Sequence, residues 1–114
     1  MKLPHADQAR VEQEKITEYL LSPSHPDGSN KAEFFLQFGF RLENWEVLRE
    51  ALRTHGARHQ VVKTVESAYG TRYAVDGTLE SPDGRNPLVR TVWLVEKGSS
   101  TPRLITAYPL EERS

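Results

Sequence analysis

The sequence predicts an α+β fold, with three N-terminal helices packed on one face of a four-stranded antiparallel β-meander. Three observations predict it. Apolar residues recur at helical spacing as far as about residue 55, and from about residue 60 the pattern turns to β-branched and aromatic residues set between turn-formers. At 114 residues, with 37% hydrophobic and 27% charged, the chain is rich enough in apolar side chains to fold and long enough for one core, so 1–114 is read as a single domain. The joints between the predicted strands are too short for a crossover, which makes neighbouring strands antiparallel.

Residues 1–10 carry a proline and no apolar period, so they are expected to form an extended lead-in. From Glu12 to Leu21 a helix is expected, because Ile16, Tyr19 and Leu20 fall on one face; Pro23 ends it. The next eight residues, Ser22 to Ser29, are dense in Ser, Pro, Asp and Gly and read as an irregular loop. A second helix, capped by Ser29 or Asn30, is predicted over Lys31 to Phe38, with Phe34, Phe35 and Phe38 as an aromatic stripe and Gly39 as its stop. Trp45, Leu48, Ala51 and Leu52 mark a third helix from Glu43 to His55, with Gly56 just beyond. Phe34, Phe35, Phe38, Phe40 and Trp45 are expected to fill the helix–sheet core.

Strands are predicted over 60–67, 71–80, 88–96 and 103–108, leaving 109–114 as a tail. Alternation puts Val89, Thr91, Trp93 and Val95 on one face and Arg90, Val92 and Leu94 on the other; in the last strand it groups Leu104, Thr106 and Tyr108 against Arg103, Ile105 and Ala107. Helices on one face leave the second face of the meander for solvent or a ligand.

Composition removes several chemistries. Without cysteine there is no disulfide, thiolate zinc site, iron–sulfur cluster or thiol nucleophile, which suits a reducing compartment, the cytoplasm. The N-terminus has no apolar signal core and no stretch approaches the roughly 20 apolar residues of a membrane span. There is no GxSxG, GxxxxGK or GxGxxG. Of the four histidines, His55 and His59 are four apart, but Gly56 between them argues against a shared helical face, so no metal or other cofactor is expected. A net charge of −1 gives no global nucleic-acid signature, although residues 58–108 hold 7 Lys and Arg against 5 Asp and Glu where residues 1–57 hold 7 against 9.

The residues that could carry chemistry are few. Tyr69-Gly70-Thr71-Arg72-Tyr73 sets an arginine and two tyrosines by a turn, a grouping able to hold a phosphate and stack a base, and equally what a half-buried strand requires. His25, in the Pro-bounded loop Pro23-Ser24-His25-Pro26, is placed to present an imidazole, or to stabilise its own turn.

The segments Lys15-Ile16-Thr17-Glu18-Tyr19-Leu20-Leu21, Pro23-Ser24-His25-Pro26-Asp27-Gly28, Lys31-Ala32 and Gly39-Phe40, followed by Tyr69-Gly70-Thr71-Arg72-Tyr73, Pro82-Asp83-Gly84, Val89-Arg90-Thr91-Val92-Trp93 and Pro102-Arg103-Leu104-Ile105-Thr106-Ala107-Tyr108, together resemble a bacterial domain family of unknown function. That family occurs as short stand-alone proteins and as C-terminal domains of polymorphic toxins. Its helices-then-meander order is similar to the superfamily of barnase, EndoU, colicin and RelE, which cleave RNA on an exposed sheet face. The resemblance implies metal-independent RNA cleavage, with RNA and a partner of toxin–antitoxin type as binding partners. It implies His25 or Tyr108 for proton transfer, Arg72, Arg90 and Arg103 for phosphate, Thr71, Thr91 and Thr106 as hydrogen-bonding neighbours, and Lys31 reaching over the site. Against it stand the weak basic character and the missing histidine pair. A non-enzymatic module docking a partner through its free sheet face or edge suits the composition equally, and a small-molecule enzyme or carrier using the helix–sheet cleft is the third class. The oligomeric state is not legible.

Overall fold

The computed structural model describes residues 1–22 and 29–110. It has the predicted α+β architecture: helices in the N-terminal half, then four antiparallel strands in the order β1-β2-β3-β4. We number the helices α1 (Gln13–Lys15), which runs into a π-helical turn over Ile16–Leu20, α2 (Ser29–Gln37) and α3 (Trp45–Arg58). The strands are β1 (Val61–Ser67), β2 (Gly70–Thr78), β3 (Leu88–Glu96) and β4 (Arg103–Pro109). No helix among the described residues is long and apolar enough to cross a membrane.

The helices cover the face built from Val75, Val89, Trp93, Leu104 and Ala107, against which Ile16, Leu20, Phe35, Leu48 and Leu52 are buried. Burying such side chains is the main stabilising term of the fold, about 1.5–3 kcal/mol each. Phe35 and Phe40 belong to this core as expected, whereas Phe34, Phe38 and Trp45 are only partly buried and pack at its margin. Arg49 stacks over Trp45, and Arg85 over Phe38, which is how those rings meet solvent.

Four local departures from the expected elements matter. The first helix is mostly a π-turn: the Leu21 N–H reaches the Ile16 carbonyl at 2.8 Å, and the wider turn lets Ile16, Leu20 and Leu21 share the core while Tyr19 swings to its edge. The second helix begins at Ser29 rather than being capped there, and it closes as a Schellman motif, with Gly39 at φ 100 and the Phe40 N–H bonded to the Phe35 carbonyl at 3.3 Å. In the third helix Gly56 is not a stop. The helix continues to Arg58, and Gly56 is small because a Cβ there would lie 2.7 Å from Trp93 Cζ2. The lead-in is part of the structure, since Leu3 and Ala9 are buried and Arg10 bridges Arg103, sealing one end of the β4 edge.

Both outer strands carry an irregularity. In β4 the register shifts opposite Val92 and Trp93, so Leu104 and Ala107 both face the core. The simple alternation that grouped Leu104 with Tyr108 is therefore broken: Tyr108 lies opposite Arg90 and Thr106 opposite Val92, on the other side from Leu104. In β1 Val62 is the extra residue, and the strand is exposed along almost its whole length.

Candidate functional site

The candidate residues divide between the two faces of the sheet. Thr91 is fully buried behind it, on the helix side. Its hydroxyl lies 3.1 Å from His55 Nδ1 and 2.8 Å from Trp93 Nε1, and His55 Nε2 lies 2.8 Å from the Val89 carbonyl. A single assignment satisfies all of them: Trp93 donates to Thr91, Thr91 donates to His55 Nδ1, and His55 Nε2–H donates to Val89. Burial holds the imidazole below its ordinary titration range, against the raising effect of the backbone carbonyls, so His55 is neutral. Thr91 is thus a structural group out of reach of a ligand on the open face, a correction to its expected substrate-binding role. His55 and His59 do share a helical side, with rings 4.9 Å apart. Both nitrogens of His55 are committed to the fold, however, and no metal-binding cluster occurs among the described residues.

Arg72 stands exposed on the open face between Val65 and Leu94, while Thr71 points to the opposite side and lines a groove at the hairpin ends with Ser67, Gly70 and Glu96. The two neighbours do not converge. Arg103 is committed to Glu96 at 2.9 Å. His25 lies outside the described residues.

What does converge is Lys31, Thr106, Tyr108 and Arg90, at the corner where α2 meets β4. Lys31 Nζ donates to Thr106 Oγ1 at 2.8 Å and to the Tyr19 hydroxyl, and the two hydroxyl oxygens lie 3.4 Å apart. The ammonium sits 4.7 Å from the centre of the Tyr19 ring and 5.9 Å from that of Tyr108. Arg90 is clamped by Asp76 through two bonds of 2.7 and 2.9 Å and faces Tyr108 directly across the strand pair. Asp76 first, and Tyr108 second, raise the Arg90 pKa above its ordinary value, so its charge is permanent but largely cancelled locally. Burial by itself would raise the Tyr19 phenol; the hydrogen bonds from Lys31 and Thr106 and the charges of Lys31 and Lys15 outweigh it and hold Tyr19 below the usual tyrosine value.

Two members of this cluster, Tyr19 and Asp76, were not singled out from the sequence. Asp76 was within reach, because counting outward from the Asp83 turn sets Asp76 opposite Arg90. Tyr19 shares one predicted helix face with Ile16 and Leu20, and in the π-turn its hydroxyl lies at the corner instead. Chemically the cluster offers an ammonium, a clamped guanidinium and two phenols within one half-exposed patch, a set able to hold an anion and move protons beside it.

Comparison with known proteins fits this picture at the level of fold. The chain resembles a chain in a contact-dependent growth inhibition toxin–immunity protein complex from Klebsiella pneumoniae 342, with a TM-score of 0.71 and 18% identity over 94% of this chain and 97% of that one. A search of curated proteins finds no match. The sequence profile of a domain of unknown function, DUF6883, matches residues 2–111, nearly the whole length, and the chain therefore belongs to the DUF6883 family.

Proposed function

We propose that this domain is a toxin-related enzyme that cleaves RNA without a metal, at the α2–β4 corner. The observation that carries the reading is the meeting of Lys31, Tyr19, Thr106, Tyr108 and Arg90 in one patch. The fold shared with a chain of a toxin–immunity complex supports it.

In the proposed reaction Tyr19, its phenolate favoured by Lys31, takes the proton of the ribose 2′-OH. The 2′-oxygen then bonds to phosphorus, the bond to the 5′-oxygen breaks, and Tyr108 returns a proton to that leaving oxygen. The products are a 2′,3′-cyclic phosphate and a 5′-hydroxyl. Lys31 offsets the charge on the pentacoordinate phosphorus, with Thr106 holding the ammonium in place. Arg90, clamped by Asp76, positions Tyr108 rather than binding phosphate alone. His25, midway in sequence between Tyr19 and Lys31, is a further proton-transfer candidate, and Arg72 and Arg103 are left as contacts for more distant phosphates.

The test is to incubate purified protein with total RNA in EDTA, comparing wild type with Lys31→Met, Tyr108→Phe and His25→Ala, and to follow growth on inducible expression. Wild-type fragments ending in cyclic phosphate, lost in Lys31→Met with the fold intact, are the expected result. Intact RNA and normal growth with wild type would sink this reading in favour of a second one, a partner-docking module of antitoxin or immunity type. That alternative has its own observation: β1 leaves Val62 53% and Val65 44% exposed beside an outer edge that the N-terminus meets only at Gln60 and Val61 among the described residues, and Tyr69 at its tip is 77% exposed.

A further inference from the structure

A groove of about 320 Å³ opens next to the corner, lined by Phe34 of α2 and Phe38 just past its end, Arg85 and Asn86 of the β2–β3 loop, and Leu88 and Leu110 at the strand ends. It continues the corner along two elements at once. On α2, Lys31 and Phe34 are one turn apart, with Cβ atoms about 5–6 Å from each other. On the sheet, Arg90 leads to Leu88 and Tyr108 leads to Leu110, two residues and about 7 Å away. One end of the trough is therefore cationic and hydroxylated, and the other presents phenylalanine rings and the plane of the Arg85 guanidinium.

From this continuity we infer that the groove is a nucleobase subsite, taking the base of a nucleotide whose phosphate lies at Lys31. The inference rests on the phosphodiester reading of the corner and gives it a substrate-side contact. Two planar surfaces line the groove. The Phe34 ring packs edge-on to Phe35 at 5.2 Å and tilted against Phe38 at 5.0 Å, which fixes its plane. The Arg85 guanidinium lies 4.4 Å from the Phe38 ring centre, held by Asp83 at 2.6 Å and by the Gln37 carbonyl at 2.7 Å. Both kinds of plane stack on bases, and a base pays little to enter a site whose walls are already set.

The loop that carries Arg85 is itself pre-formed. Ser81 N–H donates to Asn86 Oδ1 at 3.0 Å, Asn86 N–H donates to Ser81 Oγ at 3.1 Å, and Asn86 takes the left-handed conformation at φ 48. The groove on the other side of Tyr19 sets three carboxylates, Glu12, Glu14 and Glu18, against the two cations Lys15 and Arg103, whereas the groove at Phe34 has Arg85 and no carboxylate among its lining residues, so a nucleotide held at Lys31 is favoured toward Phe34.

The experiment is an NMR titration of the full chain with each of the four ribonucleoside 5′-monophosphates and with ribose 5-phosphate. We expect at least one nucleotide to bind about tenfold tighter than ribose 5-phosphate. Phe34→Leu and Phe38→Leu, two variants that keep apolar volume, should remove that excess and leave ribose 5-phosphate binding unchanged, while Lys31→Met should weaken both ligands. Equal binding of nucleotides and ribose 5-phosphate would overturn the base subsite and leave the phosphate site standing. A preference that survives in whichever phenylalanine variants fold would overturn it as well. Binding of neither ligand would overturn both the subsite and the corner as a phosphate site.

Discussion

Two polar networks in this molecule are built alike and placed differently. Each joins a helix to a threonine of the sheet: His55 of α3 to Thr91 of β3, and Lys31 of α2 to Thr106 of β4. The first is sealed, with His55 only 2% exposed and every ring nitrogen matched to a partner. The second lies at the sheet margin, half-buried, and gathers a cation and two phenols. On the proposed reading, the contrast separates polar groups that specify packing from polar groups that meet a substrate. A buried network costs stability when broken and little else, whereas an open cluster can be altered cheaply in stability and at large cost in chemistry.

The largest expected effect comes from breaking the sealed network. His55→Ala removes a packed ring and leaves the Val89 carbonyl and the Thr91 hydroxyl short of partners. We expect a loss of about 3 kcal/mol, read as a melting temperature lower by roughly 15 °C, with cleavage per folded molecule unchanged. An unaltered melting curve would mean that the network is not what joins α3 to the sheet. The next effect inverts that pattern. Lys31→Met should lower RNA cleavage about 100-fold while moving the melting temperature by no more than about 3 °C. Asp76→Asn, which loosens the clamp on Arg90, should cost about tenfold in rate and restore part of it on return to Glu. If Lys31→Met instead unfolds the protein, the corner is structural and the contrast fails.

The sequence makes the meander legible because period-two alternation and the Gly- and Pro-containing turns act locally, and β2 and β3 pair along their whole length as alternation requires. The family resemblance names Arg90, Lys31, Thr106 and Tyr108 together, and the fold brings these four to one corner. What the sequence leaves out depends on tertiary accommodation. One extra residue in β4 sends Leu104 and Ala107 to the same face, and no local signal marks it. The π-turn that frees Tyr19 reads as an ordinary helical face by spacing alone. Gly56 looks like a helix stop until Trp93 is known to lie against it. Thr71 and Thr91, chosen for their chemistry, are removed from the open face by the same strict alternation that places Arg72 and Arg90 on it.

The sealed network also carries a pH signature of intermediate size. His55 in the folded state titrates below its ordinary value of 6.5, because burial disfavours the imidazolium. A proton therefore binds the unfolded chain more readily than the folded one. The stabilisation is complete above pH 6.5 and is lost as pH falls from there toward the depressed folded value. We expect stability to decline over that acid range with a slope of up to about 1.4 kcal/mol per pH unit from this group. A His55→Gln variant, measured by chemical denaturation between neutral and mildly acidic pH, should show a flatter curve; an equal slope in both proteins would assign the acid sensitivity elsewhere.

The smallest effect, and the sharpest test of the open cluster, is the titration of one phenol. Tyr19 should ionise below the ordinary tyrosine value, since Lys31 and Thr106 hydrogen-bond it and Lys31 and Lys15 add positive charge beside it, which outweighs its burial. With ring-labelled tyrosine the four phenols can be followed separately by NMR as pH rises. Lys31→Met removes a hydrogen bond and the nearer charge at once, leaving the burial that opposes ionisation, so the Tyr19 resonance should move to higher pH. Lys15→Met removes only a cation 5.2 Å from the Tyr19 ring centre, so its effect should be smaller and in the same direction. A Tyr19 that titrates at the ordinary tyrosine value, and does not respond to Lys31, would leave the corner without a proton acceptor and shift the weight of the proposed reaction to His25.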